Sequence, residues 1–178
     1  MKATFVIEPL GAHDRSAFAC GAPPLDRYLR EQASQDVKRF VASCFVAVEG
    51  VTNRIAGYYT LAATSVHAND LPTEVVKRLP RYPVLPAALV GRLAVDQRFH
   101  RQGLGSALIA DAALRVLKGD VKAFALIVEA KDENAAGFYR HYGFHPFASR
   151  PRSLFLPLAT AKKAAAASFQ QGAIPTAK

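Results

Sequence analysis

Hydrophobic and polar positions switch between two periods along this 178-residue chain. Period two dominates the first part. Residues 4–8 read as a strand, and residues 41–48 and 55–63 as two more, joined by the polar turn 49–54 into a hairpin. Ahead of the hairpin, Pro23 and Pro24 suit the first turn of a helix. Leu25, Tyr28, Leu29 and Ala33 then fall on one face, with Asp26 and Arg30 expected as an i,i+4 pair on the other. Residues 73–79 predict a short helix with Thr73 as N-cap, and 89–95 another strand. The helical period is cleanest after Gly103. Leu104, Leu108, Ala112 and Val116 recur every four residues, Asp111, Arg115 and Lys118 lie off that stripe, and Gly119 marks its end. Residues 123–128 form an apolar strand, 134–142 a helix stopped by Gly143, and 144–147 and 154–156 closing strands. The fold class is therefore α/β (α+β): helices interleaved among mainly antiparallel strands of one mixed sheet.

The tail differs from the body. Residues 1–158 are expected to form one domain, and 159–178 a low-complexity C-terminal tail, mobile or used for docking. The alanines of 159–169 favour helix, but a single short helix without a packed face is marginal. Hydrophobic residues make up 51% of the chain, too many for a disordered protein. No apolar run approaches the ~18 residues of a membrane helix. Glu8 and Pro9 interrupt the N-terminus too early for a secretory leader. A cytoplasmic protein without membrane contact is expected. Cys20 and Cys44 form no C-x-x-C, which excludes a paired-thiol zinc site and leaves two reduced thiols. His100, His141 and His145 lack H-E-x-x-H spacing, so no metal is expected, and G-x-S-x-G is absent.

Charge narrows the partners. Lys and Arg exceed Asp and Glu by 23 − 14 = +9. The window 77–118 holds eight basic residues against Asp96 and Asp111, and no carboxylate side chain follows Glu133. A polyanion partner follows, whether RNA, DNA or a coenzyme.

Candidate chemistry concentrates where a strand meets a basic, Gly-rich loop and a long helix. The unpaired N–H groups of a helix's first turn make an anion site, and Gly103 and Gly105 let the backbone approach a phosphate. The loop is neither a Walker A motif nor a dinucleotide fingerprint. Val95-Asp96 with Gly103-Leu104-Gly105, followed by Asn134, Phe138-Tyr139 and Gly143-Phe144, resembles the GCN5-related N-acetyltransferase (GNAT) superfamily. The resemblance implies acetyl-CoA held in a cleft between two splayed central parallel strands, 89–95 and 123–128. Leu93, Ala94 and Val95 would meet the pantetheine. The pyrophosphate would sit on the main chain of Arg101, Gln102, Gly103, Leu104, Gly105 and Ser106. Asn134 would hold the pantetheine, and Phe138 would seat Tyr139 as the general acid that protonates the leaving thiolate. His100 stands where the family usually has Gln or Arg. A phenol is neutral at pH 7 and can donate to a thiolate, which independently favours Tyr139. A strand N–H near Val95 would stabilise the oxyanion. Glu129 and Asp132 are candidate bases.

The N-terminal half resembles a narrower group. Phe18-x-Cys20-Gly21, Leu25-x-x-Tyr28-Leu29, Gln32-Ala33, residues 57–61 (GYYTL) and 91–96 (GRLAVD) are similar to the GNAT toxins of bacterial type II toxin–antitoxin modules, the TacT/AtaT-like group. Pro24-Leu25-Asp26 departs from the usual Leu-Asn. That resemblance implies acetylation of the α-amine of aminoacyl-tRNA, blocking translation, with a ribbon–helix–helix antitoxin and a homodimer. An α-amine of pKa ~7.7–8.0, lowered further by the adjacent ester, needs no strong base. Acetylation of a protein N-terminus or a small amine is the alternative. Lys77, Arg78, Arg81, Arg92, Arg150 and Arg152 are expected to hold acceptor-stem phosphates, positioning without reading bases.

Overall fold

The computed structural model describes the backbone of residues 3–171 and side chains as far as residue 164. Seven strands form one mixed sheet in the order β1-β2-β3-β4-β5-β7-β6, with helices flanking it. The chain packs as two compact units. One comprises the residues up to Thr64 together with Ala88–Arg115; the other comprises Ser65–Ala87 together with the residues from Val116 on.

In the first unit, β1 (Phe5–Pro9) lies antiparallel to β2 (Ser43–Glu49), pairing Phe5 with Glu49 and Pro9 with Phe45. β2 and β3 (Ile55–His67) form the expected hairpin. Its turn closes through Glu49 N–H on Arg54 O at 2.9 Å, while the Glu49 carboxylate accepts from Thr52 N–H and Oγ1. Alternation along the hairpin turns Cys44, Val46, Val48 and Tyr58 to one face, where they bury Phe18, Leu29 and Ala33. The segment opened by Pro23 is not one helix. α1 (Pro23–Arg27) passes through a π-helical turn (Tyr28–Gln32), closed by Ala33 N–H on Tyr28 O, into α2 (Ala33–Lys38). Tyr28 and Leu29, at the start of that turn, are both buried.

The expected Asp26–Arg30 pair does not form. Asp26 is buried and accepts from Cys20 N–H at 2.9 Å, and Arg30 donates to Phe18 O at 3.1 Å. Both side chains serve a preceding loop whose buried main-chain groups need partners. β4 (Val84–Val95) begins five residues before the expected start, and the long helix is α4 (Leu104–Lys118). Leu104, Leu108 and Ala112 are buried on the predicted stripe, and Tyr59 OH donates to Asp111 on the same helix.

In the second unit, β5 (Ala125–Glu129) runs antiparallel to β7 (Ser153–Pro157), which also pairs β6 (His145–Pro146). Phe124 N–H donates to Pro86 O at 2.7 Å. α3 (Thr73–Val76) is shorter than expected, and Thr73 does not cap it: Pro72 is the N-cap and no side chain accepts there. α5 spans Glu133–His141, and α6 (Leu158–Gln171) occupies most of the segment read as a tail; residues 172–178 of that segment lie outside the described ones. Among the described residues no helix is long and apolar enough to cross a membrane.

Candidate active site

The first unit supplies a main-chain site at the end of β4. Ala94 turns its side chain into the core, so it has only backbone to offer a ligand, while Leu93 and Val95 are half-buried. Asp96 is buried and acts as an anchor. It accepts from Ala19 N–H at 3.0 Å, from Arg98 N–H at 3.0 Å and from the Arg98 guanidinium at 2.8 Å. Burial alone would raise its pKa, but the bonds from Arg98 and Ala19 outweigh that and hold it below the usual carboxylate range. The turn it caps, Gln97–Phe99, delivers the chain to His100, whose Nε2 lies 2.8 Å from Val95 O. His100 thus ties the loop back to the strand that launched it.

Two residues of the loop then take left-handed backbone: Arg101 at φ 61° and Gly103 at φ 78°. Such a conformation in a side-chain-bearing residue costs of order 1–3 kcal/mol and is kept where the surroundings demand it. It turns the chain sharply into α4. The first i to i−4 bond there is Ala107 N–H to Gly103 O at 3.2 Å, so Leu104, Gly105 and Ser106 N–H have no helical acceptor. Ser106 Oγ donates to Gly103 O at 2.8 Å, firming the turn. These amides, at the positive end of a 15-residue helix with no acidic residue in its first turn, suit a pyrophosphate. Arg101 is exposed and Gln102 half-buried beside them.

The second unit supplies a side-chain site on α5. Asp132 is its N-cap, accepting from Ala135 N–H at 2.8 Å, so this candidate base is engaged in holding the helix. Glu129 is exposed at the end of β5 and Asn134 in the first turn of α5. The C-terminal end explains Gly143-Phe144. Gly143 is left-handed at φ 92°, Gly143 N–H donates to Arg140 O at 3.1 Å, and Phe144 N–H donates to Tyr139 O at 3.1 Å. That is the double bond of a Schellman cap, with its apolar contact supplied by Phe144 against the Tyr139 ring at 5.5 Å. Phe138 meets Tyr139 edge-on at 5.3 Å and also packs on Tyr142 at 4.9 Å. Tyr139 is 8% exposed, and desolvation pushes its pKa up to about 12. The cap and two aromatic neighbours fix the position of this phenol, and its burial favours the protonated form.

The basic residues are distributed between the units. Lys77, Arg78, Arg81, Arg150 and Arg152 are exposed in the second, where Lys77 pairs with Glu74 and Arg150 with Asp70, each at 3.7 Å. Arg92 belongs to the first, half-buried, its guanidinium 3.6 Å above the Tyr28 ring. Cys20 and Cys44 are free thiols that burial pushes up to about 11 and about 12. Sequence reasoning missed the anchoring role of Asp96 and the cap at Asp132; an Asp two residues before Arg98, and an Asp directly ahead of a Glu-Asn helix start, were the available signals.

A mixed seven-stranded sheet with flanking helices is the fold of the acetyl-CoA-dependent N-acetyltransferases, and the chain is one of them. The family model of the acetyltransferase (GNAT) domain matches residues 41–146, and the chain belongs to the GNAT family. It is 35% identical to a tRNA-acetylating toxin of Mycobacterium tuberculosis (strain ATCC 25618 / H37Rv) over 153 residues, 85% of this chain and 90% of that one. It is 30% identical to the probable toxin TacT of Sinorhizobium fredii (strain NBRC 101917 / NGR234) over 166 residues, covering 87% and 92%. Among solved structures, AtaT complexed with acetyl-methionyl-tRNAfMet superposes with a TM-score of 0.83 at 27% identity, covering 90% of this chain and 99% of that one. A mutant AtaT toxin bound to the C-terminus of the antitoxin AtaR gives 0.75 at 26%, covering 90% and 97%.

Proposed function

We propose that this enzyme is a toxin that transfers acetyl to the α-amine of aminoacyl-tRNA and so blocks translation. The observation that carries the reading is the Schellman-capped Tyr139, a buried phenol kept protonated in an acetyltransferase whose relatives include a tRNA-acetylating toxin. Acetyl-CoA supplies the acetyl group as an activated thioester. Main-chain N–H groups of Arg101, Gln102, Gly103, Leu104, Gly105 and Ser106 hold its pyrophosphate; Leu93, Val95 and Asn134 meet the pantetheine. Tyr139 gives its proton, or the hydrogen bond that carries it, to the departing sulfur. An N–H near Val95 steadies the carbonyl oxygen as charge develops on it.

No base is assigned to a side chain. An α-amine beside an ester is partly neutral near pH 7, whereas a lysine at ~10.4 would need deprotonation first. With Asp132 engaged as a cap, the site fits the weaker base. Lys77, Arg78, Arg81, Arg92, Arg150 and Arg152 take acceptor-stem phosphates. Residues 1–158 form the catalytic domain. A ribbon–helix–helix antitoxin covers the cationic face, and the toxin works as a homodimer in the cytoplasm.

Transfer from radiolabelled acetyl-CoA decides the substrate. The expected outcome is label on the amino acid of charged tRNA, released by ester hydrolysis, and none on peptides. Label on peptide N-termini with charged tRNA untouched gives the chain a different acceptor.

A further inference from the structure

Arg92 differs from three other arginines of the first unit. Arg98 and Arg115 are each paired with a carboxylate, and Arg15 is bonded to Ser34 Oγ and Leu29 O. Arg92 enters no salt bridge among the described residues. Instead its guanidinium carbon lies over the Tyr28 ring, 3.6 Å from the centroid. Tyr28 is itself fixed from two sides. Its other neighbour is the Tyr58 ring, stacked at 6.3 Å and 16°, and its hydroxyl donates to Asp36 Oδ2 at 2.8 Å. Gln32 Nε2 donates to the second Asp36 oxygen at 2.9 Å. The carboxylate is thereby committed to Tyr28 and Gln32 by hydrogen bonds; it attracts Arg92 through space but makes no ion pair with it.

This stack opens on a pocket of about 290 Å³. Pro24, Leu25 and Tyr28 line it with apolar surface; Arg27, Glu31, Gln32 and Arg92 are polar. A planar guanidinium held on an aromatic face, with its donors unspent, matches the oxygens of a phosphate. Position along the sheet says which phosphate. Arg92 N–H donates to Thr60 Oγ1 and Asp96 N–H donates to Ala56 O, so Arg92 sits on the same strand pairing as the amide-lined loop and close to the end that leads into it. Arg92 stands one to three residues, about 3–10 Å, from Leu93–Val95.

We infer that Arg92 binds the phosphodiester next to the aminoacylated 3′ end of the RNA, and that Tyr28 and Asp36 are positioning residues that hold its guanidinium for that contact. The inference rests on the aminoacyl-tRNA reading above.

The test uses the full chain and two minimal acceptors, an aminoacyl-adenosine without phosphate and an aminoacyl-cytidylyl-adenosine with one, alongside charged tRNA. The wild type should favour the phosphate-bearing acceptor by about 10-fold or more in kcat/KM, within the range of one charge-assisted contact. Arg92→Gln should abolish that preference and reduce the salt slope of log KM for charged tRNA by about 0.7, the value for one single-strand phosphate. Tyr28→Phe, which keeps the ring and frees it from Asp36, should raise KM by about 3-fold while kcat and the salt slope hold, as expected for a strained but intact contact. An Arg92→Gln enzyme that is active on charged tRNA with preference and slope both unchanged overturns the assignment of Arg92. A wild type that acetylates no charged tRNA overturns the reading beneath it. Arg92 is half-buried on the pocket side, so Arg92→Gln should fold even if a Tyr28 variant does not.

Discussion

Under the proposed function the two units would offer the coenzyme different kinds of group. At the end of β4 the first unit works with main chain: amides of the α4 first turn, exposed by left-handed Arg101 and Gly103. On α5 the second unit works with one side chain, Tyr139, set by a cap at each end of its helix. A backbone site depends on conformation and would tolerate exchange of side chains, His100 among them. A side-chain site tolerates no exchange at the reacting atom, yet its geometry is written in residues that never touch the ligand. Asp132, Gly143 and Phe144 are of that kind.

The largest effect should come from the reacting atom itself. Tyr139→Phe removes the proton and keeps the ring that packs on Phe138 and Phe144. Steady-state kinetics should show kcat reduced by about 100-fold, near 2.7 kcal/mol of transition-state stabilisation. Calorimetric titration should show acetyl-CoA affinity within about 2-fold of wild type, because the amide loop is untouched. The pH profile sharpens this. With its pKa raised by burial to about 12, the phenol stays protonated as pH climbs past 10, where a free tyrosine ionises. The wild-type rate should therefore rise as the acceptor amine loses its proton and show no alkaline fall from Tyr139 below about pH 11. A rate that halves near pH 10, in the wild type but not in Tyr139→Phe, would mean a solvated phenol.

Next in size is the cap. Gly143→Ala forces a Cβ onto a residue at φ 92°, at a cost of about 1–2 kcal/mol. Space is not the obstacle, since the added carbon would meet only Leu156 Cδ1, at 3.7 Å. The strain must be relieved by loosening the Tyr139–Phe144 turn. Chemical denaturation should show the lost stability, and kcat should fall several-fold while acetyl-CoA affinity holds. An unchanged kcat with reduced stability would separate the cap from catalysis and leave it a purely structural feature.

The same contrast explains what the sequence disclosed. The hairpin was legible because alternation over 41–48 and 55–63 has one register that buries Val46 and Tyr58 together. The α4 stripe and the Gly143 stop were legible for the same reason: each is a local rule with a local signal. The π-helical turn at Tyr28–Gln32 was not, because a face pattern of Leu25, Tyr28, Leu29 and Ala33 is satisfied by ordinary helix and gives no sign of the extra residue. The Asp26–Arg30 pair failed because i,i+4 spacing cannot foresee that a distant loop will claim both side chains. β4 starts ahead of the expected residue 89 and carries Pro86 within it, exposed between buried Leu85 and Ala87, with its carbonyl accepting from Phe124 N–H. Most candidate residues came from the resemblance to the GNAT superfamily; the groups that orient them, Asp96 and Asp132 above all, act through hydrogen bonds to main chain whose partners, such as Ala19 N–H, become visible in the fold.

The smallest effect tests the backbone half of the comparison. His100 is exposed and bonds Val95 O through Nε2 at 2.8 Å. His100→Ala removes that tie and leaves every N–H from Arg101 to Ser106 in place. If main chain carries the pyrophosphate, acetyl-CoA affinity measured by calorimetry should weaken by no more than about 3-fold, the size of one exposed hydrogen bond's contribution to ordering the loop. Its salt dependence should stay as in wild type, because no charge contact is lost. A loss of 30-fold or more would show that the imidazole itself carries the phosphate, and the distinction between a site of amides and a site of one side chain would disappear.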